Sequence, residues 1–232
     1  MQGVGHSWRE VPEICAGRLE MLRPLSCPQT QSYTLAMPDQ PDMRGLEAIA
    51  YAQHGYFTTT QARERGFSSQ LLSHYLRRNR FERVRRGLYR LPGFPRPEDD
   101  EMREKWMAVG ANKAVLSHQS ALALLDLSDN IPNAVHLLVG RRYRGLRRPA
   151  GVVVHTRPDE EEVATVWREG LPLTAPARTL IDVAGEIQPE QLEMAVRQAL
   201  GRGLLTAREL EKEARRRGRH DALSGAIEAV TS

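Results

Sequence analysis

Apolar residues between positions 45 and 79 recur every three or four residues, which is the spacing of one buried face of a helix. Glycines and small polar residues interrupt this pattern at intervals, so it predicts three short helices instead of one long helix. We expect them from about Gly45 to Gly55, over 61–65 with Thr59 or Thr60 as N-cap, and from Ser68 or Ser69 to about Asn79. The segment 56–58 is predicted as an apolar link between the first two helices.

The third helix is followed by two β-prone segments, 81–84 and 88–91, on either side of the turn Arg85-Arg86-Gly87. A glycine in a short turn between such segments predicts a β-hairpin. Three helices followed by a hairpin is the order of a winged helix-turn-helix, in which the third helix enters the major groove of DNA. We therefore expect a winged helix-turn-helix domain over residues 43–96.

The residues before this domain have a different composition. Residues 1–42 contain five prolines and no sustained periodicity, which is typical of a disordered tail. The sequence leaves Met1, Met37 and Met43 open as the translation start.

Residues 97–232 mix helical and strand patterns. The strands are predicted at 135–139, 151–155 and, more weakly, 171–173. Helices are predicted at 100–110, 118–127 after Ser117, 175–184 after Thr174, 191–200, 207–217 with a capping box at 206–209, and 223–230. This order predicts a C-terminal α+β domain with a small antiparallel sheet, in which the strands flanking 141–148 pair as an antiparallel ribbon.

Composition narrows the class of protein. Of the 232 residues 41% are hydrophobic, and adding the glycines brings the apolar share to the usual value for a folded protein. The longest apolar stretches are far shorter than the roughly 20 residues of a membrane helix. Two cysteines, Cys15 and Cys27, are too few for a disulfide scaffold. We expect a soluble cytoplasmic protein that does not associate with a membrane.

Positive charge is concentrated in blocks. Residues 63–96 contain ten arginines and two glutamates, a net charge of +8 in a chain whose total is +4. A second block, 141–148, contains five arginines and no acidic residue, and a third block is 215–219. A charged run is often only a solvated face, and for the third block this is an equally good interpretation. Two dense blocks of one sign indicate a polyanionic partner such as double-stranded DNA.

These patterns identify candidate DNA-binding residues. Small polar side chains at the start of the third helix suit close approach to base edges, and arginines of the helix end and hairpin suit phosphates. The predicted base-reading residues are Ser68, Ser69, Gln70, Ser73 and His74. The predicted phosphate-binding residues are Thr59, Arg77, Arg78, Arg83, Arg85, Arg86 and Arg90. Arg141, Arg142, Arg144, Arg147 and Arg148 form a second basic surface, for the same DNA or for an acidic partner.

Catalytic motifs are not found in the sequence. None of the three lysines follows an acidic residue by two positions, as a metal-dependent nuclease of the usual type requires. A Gly-Ser turn with an Asp-x-Asp pair and a Gly-x-x-x-x-Gly-Lys loop are also missing. We therefore predict no enzymatic activity, no catalytic residues and no cofactor.

Three histidines and one Arg–Asp pair have structural interpretations that need no catalysis. Ser117 and His118 are adjacent on a predicted helix, where side chains diverge by about 100°, so we interpret Ser117 as a helix cap. His136 and His155 lie on neighbouring predicted strands, but no residue is spaced to supply a third metal ligand, so no metal site is predicted. Arg178 and Asp182 are four apart on one helix, which predicts an ion pair between them.

The chain from about Gly45 to Ala229 resembles the AbiEi family of antitoxins from type IV toxin–antitoxin systems. The resemblance is carried by 57–63 (FTTTQAR), 83–90 (RVRRGLYR), 115–122 (VLSHQSAL) and 171–182 (LPLTAPARTLID). It implies a DNA-binding N-terminal domain that represses its own operon, and a C-terminal domain that opposes a nucleotidyltransferase-like toxin. The alternatives are a solitary winged-helix transcription factor whose second domain dimerises, and a nuclease-related protein without its catalytic domain. The sequence leaves the operator, the oligomeric state and any effector ligand open.

Overall fold

The computed structural model describes residues 40–231. The predicted disordered tail therefore lies outside the described residues over positions 1–39. Its boundary at residue 42 is wrong, because Asp42 is the N-cap of the first helix. The Asp42 carboxylate accepts a hydrogen bond of 2.8 Å from the backbone N–H of Gly45 and forms a 3.3 Å ion pair with Arg65.

Residues 42–91 form three helices and a three-stranded antiparallel sheet of order β1-β3-β2. The elements are α1 (Met43–Ala52), β1 (Tyr56–Thr58), α2 (Thr59–Glu64), α3 (Ser69–Arg77), β2 (Glu82–Arg85) and β3 (Leu88–Arg90). The hairpin of β2 and β3 is confirmed. The predicted apolar link at 56–58 is instead strand β1, which pairs with β3 because its buried Tyr56 and Phe57 place it inside the fold.

The cap of α2 also differs from the prediction by one residue. Thr58 is the N-cap, and it forms a capping box with Gln61. The backbone N–H of Thr59 instead donates to the carbonyl oxygen of Gly87 in the hairpin turn, at 3.0 Å. The start of α2 therefore lies against the tip of the hairpin.

Residues 100–231 form a five-stranded mixed sheet with helices. The elements are α4 (Asp100–Val109), β4 (Ala114–Leu116), α5 (His118–Leu124), β5 (Val135–Gly140), a 3-10 turn (Arg141–Tyr143), β6 (Val152–Arg157), β7 (Thr165–Arg168), β8 (Leu171–Thr174), α6 (Pro176–Val183), α7 (Pro189–Gly201), α8 (Ala207–Arg216) and α9 (His220–Thr231). The sheet order is β6-β5-β4-β8-β7.

The sheet is larger than predicted, and one pairing is reversed. Strands β5 and β6 pair in parallel, with Val135 opposite Val152, so the predicted antiparallel ribbon is wrong. The eleven residues between them are enough to return the chain along the sheet. Two apolar strands joined by a loop of this length carry no signal of direction, which is why the sequence did not reveal the parallel pairing.

Two hydrophobic cores meet inside the described chain. The smaller core lies among the three helices and includes Leu46, Phe57, Phe67, Leu72 and Phe81. The larger core lies between the five-stranded sheet and its helices. Tyr56 and Leu88, from the N-terminal sheet, belong to the larger core. The two cores are therefore joined through β1 and β3.

Two further features of the second part bear on the predictions. The predicted capping box of Thr206 and Glu209 is confirmed. The prediction of Thr174 as the cap of α6 is wrong, because Thr174 ends β8 and Ala175 is the N-cap. The Thr174 hydroxyl instead forms a 2.7 Å hydrogen bond with the Thr179 hydroxyl. Within residues 40–231, no helix combines the length and apolar character required to cross a bilayer.

Candidate nucleic-acid interface

The start of α3 presents a polar, exposed face. Ser68 is its N-cap, and the hydroxyl accepts a 3.1 Å hydrogen bond from the backbone N–H of Leu71. Leu72 on the opposite side is buried and fixes the helix to the smaller core. The predicted base-reading residues are all exposed, namely Ser68, Ser69, Gln70, Ser73 and His74. The helix is therefore anchored by its apolar side and free to approach a ligand with its polar side.

Four of the predicted phosphate-binding arginines are exposed. Arg77 and Arg78 lie at the end of α3, and Arg83 and Arg86 lie on the hairpin. Among residues 40–231, none of these four has an acidic side chain within 4.0 Å. Their positive charge is thus not cancelled by a described neighbour.

Arg90 cannot bind phosphate, and this prediction is wrong. Its side chain is 2% exposed, and its guanidinium donates to the carbonyl oxygens of Phe94 at 2.9 Å and Pro95 at 2.7 Å. The guanidinium also lies 5.2 Å from the centre of the Tyr56 ring. The Arg90 side chain is therefore turned inward, toward Tyr56 and the segment that follows β3.

Arg85 and Thr59 are less available than predicted. The Arg85 guanidinium forms an ion pair with Glu104 of α4, and its Nε donates to that carboxylate at 2.5 Å. Its charge is therefore largely neutralised within the protein. Thr59 is half-buried against the hairpin turn.

The second basic block meets the hairpin. Arg147 and Arg148 line the same open cleft as Arg85 and Arg86, with a volume of about 470 Å³. These two pairs are separated by some sixty residues in the sequence. Arg141, Arg142 and Arg144 of the same block are exposed but do not line this cleft, and Arg142 lies 3.8 Å from Asp159. The fold therefore joins part of the second block to the hairpin in one basic surface, which the sequence did not predict.

Three arginines of the third basic block form ion pairs with acidic residues of the same chain. Arg215 pairs with Glu211 at 3.5 Å, Arg216 with Glu213 at 2.6 Å, and Arg217 with Glu161 and Glu213. Hydrogen bonds from Arg216 and Arg217 lower the pKa of Glu213 to about 2. The interpretation as a face without a nucleic-acid partner thus fits this block.

The predicted pair of Arg178 and Asp182 is confirmed, with Nε 2.6 Å from the carboxylate. Arg178 is buried and also pairs with Glu161, which bridges it to Arg217. The network connects α6 with α8 and with the loop before β7. Its role is therefore to hold these elements together.

Three histidines form a cluster, in which His118 joins His136 and His155, the two histidines that the predicted strands place side by side. His136 Nδ1 is 3.0 Å from His155 Nε2, and the His118 ring stacks on the His155 ring with their centres 3.4 Å apart. Within residues 40–231, the Ser117 hydroxyl makes no capping bond to α5 and instead lies 3.0 Å from His118 Nδ1. Ser117 is the N-cap residue of α5, as predicted, but its hydroxyl supplies no capping hydrogen bond, and His118 after it has a φ of 49°.

The cluster also overturns the argument that no third ligand is near. One ligand atom from each of His118, His155 and Glu186 lies within 4.8 Å of the other two. Burial lowers the pKa of His118 to about 3, with the neighbouring histidines and Arg178 acting in the same direction. Burial and His136 lower the pKa of His155 to about 4. The imidazoles are therefore neutral at pH 7.

A protein-family match covers the N-terminal helices and the hairpin. Residues 46–92 match the family described as transcriptional regulator, AbiEi antitoxin. The match runs from α1 past the end of β3, and it confirms the resemblance to AbiEi antitoxins over this part of the chain. No curated protein matches the sequence.

Among solved structures, this chain is similar to one described as the crystal structure of the RV2827C protein from Mycobacterium tuberculosis. The two chains are 18% identical, the TM-score is 0.48, and the alignment covers 79% of this chain and 72% of that chain.

Proposed function

We propose that this protein is a double-stranded DNA-binding transcriptional repressor whose residues 43–96 act as a winged helix-turn-helix. In this proposal α3 reads bases and the hairpin of β2 and β3 is the wing. The carrying observation is that α3 exposes its polar start while packing in the smaller core with Tyr89 of the hairpin. Arg85 and Arg86 of the same hairpin line one cleft with Arg147 and Arg148. The match of residues 46–92 to a transcriptional regulator family supports the same function.

The phosphate contacts are assigned to exposed arginines with no described acidic partner. These are Arg77, Arg78, Arg83, Arg86, Arg147 and Arg148. Six such contacts correspond to a slope of log Kobs against log salt of about −5. Base reading is assigned to Gln70 first, because an amide can make a bidentate contact with adenine. Ser69, Ser73 and His74 lie on the same exposed side of α3 and complete the reading surface with Ser68.

The test is DNA binding by the full chain, measured by fluorescence anisotropy on the region upstream of its own gene. The double variant Arg83→Ala/Arg86→Ala should weaken binding to all sequences and flatten the salt slope by about 2. The matched control is Arg197→Ala/Arg215→Ala, which removes the same charge from arginines paired with glutamates on α7 and α8. Equal effects of the two double variants would contradict the wing assignment.

We also propose that the protein represses its own operon and acts as the antitoxin of a type IV system. This rests on the resemblance and on the family match alone. A neighbouring gene for a nucleotidyltransferase-like protein, whose toxicity is relieved when this chain is co-expressed, would support it. The second candidate is a solitary transcription factor, which would bind its promoter in the same assay but relieve no toxicity.

A further inference from the structure

The histidine cluster lies in the second part of the chain, apart from the residues assigned to DNA. We propose that it is a binding site for a divalent transition-metal ion of the zinc class, with His118, His155 and Glu186 as ligands. Among the described residues, this is the group of three donor side chains that come within 4.8 Å of one another. Two imidazoles and a carboxylate are a ligand set that zinc accepts and that magnesium and calcium do not favour.

The spacing is close to that of a bound site. Ligand nitrogens around tetrahedral zinc are about 3.3 Å apart, because each lies about 2.0 Å from the metal. His118 Nε2 is 3.8 Å from Glu186 Oε1. A shift of about half an ångström by the partly exposed Glu186 side chain would bring this pair of atoms to a coordinating separation. The stacked His118 and His155 rings would also have to turn apart, because the lone pair of each nitrogen lies in its ring plane and both must point to the metal.

In His118 and His155, the ring nitrogen that would not bind the metal already has a hydrogen-bond partner. The Ser117 hydroxyl lies 3.0 Å from His118 Nδ1, which leaves Nε2 directed toward Glu186. His136 Nδ1 lies 3.0 Å from His155 Nε2, so the tautomer in which His155 donates leaves its Nδ1 lone pair free. Metal-binding histidines commonly donate their second N–H in this way, and the partner fixes the tautomer and the ring.

The backbone also holds the first ligand in an unusual position. His118 has a φ of 49°, in the left-handed region that residues other than glycine seldom adopt. Such conformations cost free energy and are concentrated at functional sites. Here the conformation aims the His118 ring across the start of α5 and onto His155 instead of along the helix.

The charges around the cluster are compatible with a cation. Arg178 is the cationic side chain that acts on His118, but it is paired with Asp182 and Glu161. Asp182 raises the pKa of Glu186, whereas Arg219 lowers it. A divalent ion would therefore meet one carboxylate ligand, neutral imidazoles and an arginine whose charge is already balanced.

The three ligands come from separate parts of the fold. His118 begins α5, His155 lies on β6 at the sheet edge, and Glu186 lies in the connection between α6 and α7. A metal bound to all three would connect these elements. It should therefore raise the thermal stability of the protein.

The experiment uses the full chain with Cys15→Ser and Cys27→Ser, so that thiolates do not compete for the metal. After treatment with a chelator, ZnCl₂ is titrated by calorimetry and CoCl₂ by visible absorption. We expect a single ion per chain, a cobalt spectrum typical of tetrahedral nitrogen and oxygen ligands, and a Tm raised by about 5 °C at a hundredfold excess over Kd.

The variants are His155→Ala and Glu186→Gln, with His54→Asn, in the turn between α1 and β1, as the matched control. Removing either ligand should weaken zinc binding by more than about tenfold, whereas His54→Asn should leave it unchanged. If His155→Ala does not fold, Glu186→Gln decides, because its side chain is partly exposed. Absence of zinc binding by the parent chain, or binding that survives Glu186→Gln unchanged, would overturn the proposal.

Discussion

The shared cleft of the hairpin and the 141–148 loop makes a quantitative prediction. If one DNA duplex contacts both, replacing Arg147 and Arg148 by alanine should weaken DNA binding, although these residues lie far from the helix-turn-helix in sequence. Each phosphate contact contributes about 0.9 to the salt slope, so the double variant should flatten the slope by about 1.8.

The same relation gives the loss of affinity. Counterion release makes each contact worth about an eightfold change in affinity between 1 M and 0.1 M salt. Two contacts therefore correspond to a loss of roughly 60-fold at 0.1 M salt, or about 2.4 kcal/mol. Combining this variant with Arg83→Ala/Arg86→Ala should flatten the slope by nearly 4 in total, because the contacts are to separate phosphates.

The matched control is Arg141→Ala/Arg144→Ala, from the same loop. It removes the same charge from exposed arginines that do not line the cleft. Anisotropy titrations between 0.05 and 0.3 M salt, a range of about sixfold, would separate the slopes. If both loop variants reduced binding equally, net charge would explain the effect. If Arg147→Ala/Arg148→Ala left the slope unchanged, DNA would not reach this part of the cleft.

Three other outcomes are expected. Gln70→Ala should alter preference among operator variants by about 1–3 kcal/mol in competition titrations while leaving the salt slope intact; unchanged preference would remove it from the reading set. Arg90→Met should lower the free energy of unfolding in urea by about 1–3 kcal/mol, since its hydrogen bonds to Phe94 and Pro95 are buried, and an effect confined to DNA affinity would refute this role. The depressed pKa of Glu213, about 2 against an ordinary value of 4.5, means that its stabilising contribution is present above pH 4.5 and disappears as pH falls toward 2. Tm measured across this range should fall less steeply in Glu213→Gln, and parallel curves would exclude the residue as a source of the acid sensitivity.

The N-terminal half was largely predictable from local signals. Glycines and small polar caps bounded the three helices within a few residues, and the Arg-Arg-Gly turn located the hairpin. Strand β1 was missed because three residues are too few to show a period, and its pairing with β3 depends on a partner thirty residues away. Arg90 was misassigned for a related reason. Whether an arginine on a strand is exposed depends on what packs against that face of the sheet, here Tyr56 and the segment 94–95, which lies several residues further along the chain.

In the C-terminal half, local sequence signals predicted strands and helices but not how the strands pair. The sequence contained the strands at 135–140 and 152–157 but not their relative direction, which depends on the path of the loop between them. The meeting of Arg147 with Arg85, and of His118 with His155, follows from that path and from the order of the strands. The left-handed backbone of His118 had no sequence signal beyond the presence of a histidine at a helix start.

Contacts between β1, the hairpin and α4 affect how this protein can be divided. The Tyr56 hydroxyl donates to Asp100 at 3.0 Å, and Arg85 pairs with Glu104, so both sheet edges of the small domain are bonded to one helix of the next. A fragment ending near residue 96 would expose the apolar surface of Tyr56 and Leu88 to water. Chimeras that exchange residues 43–96 between related chains should therefore include α4, because α4 supplies the bonding partners of both sheet edges.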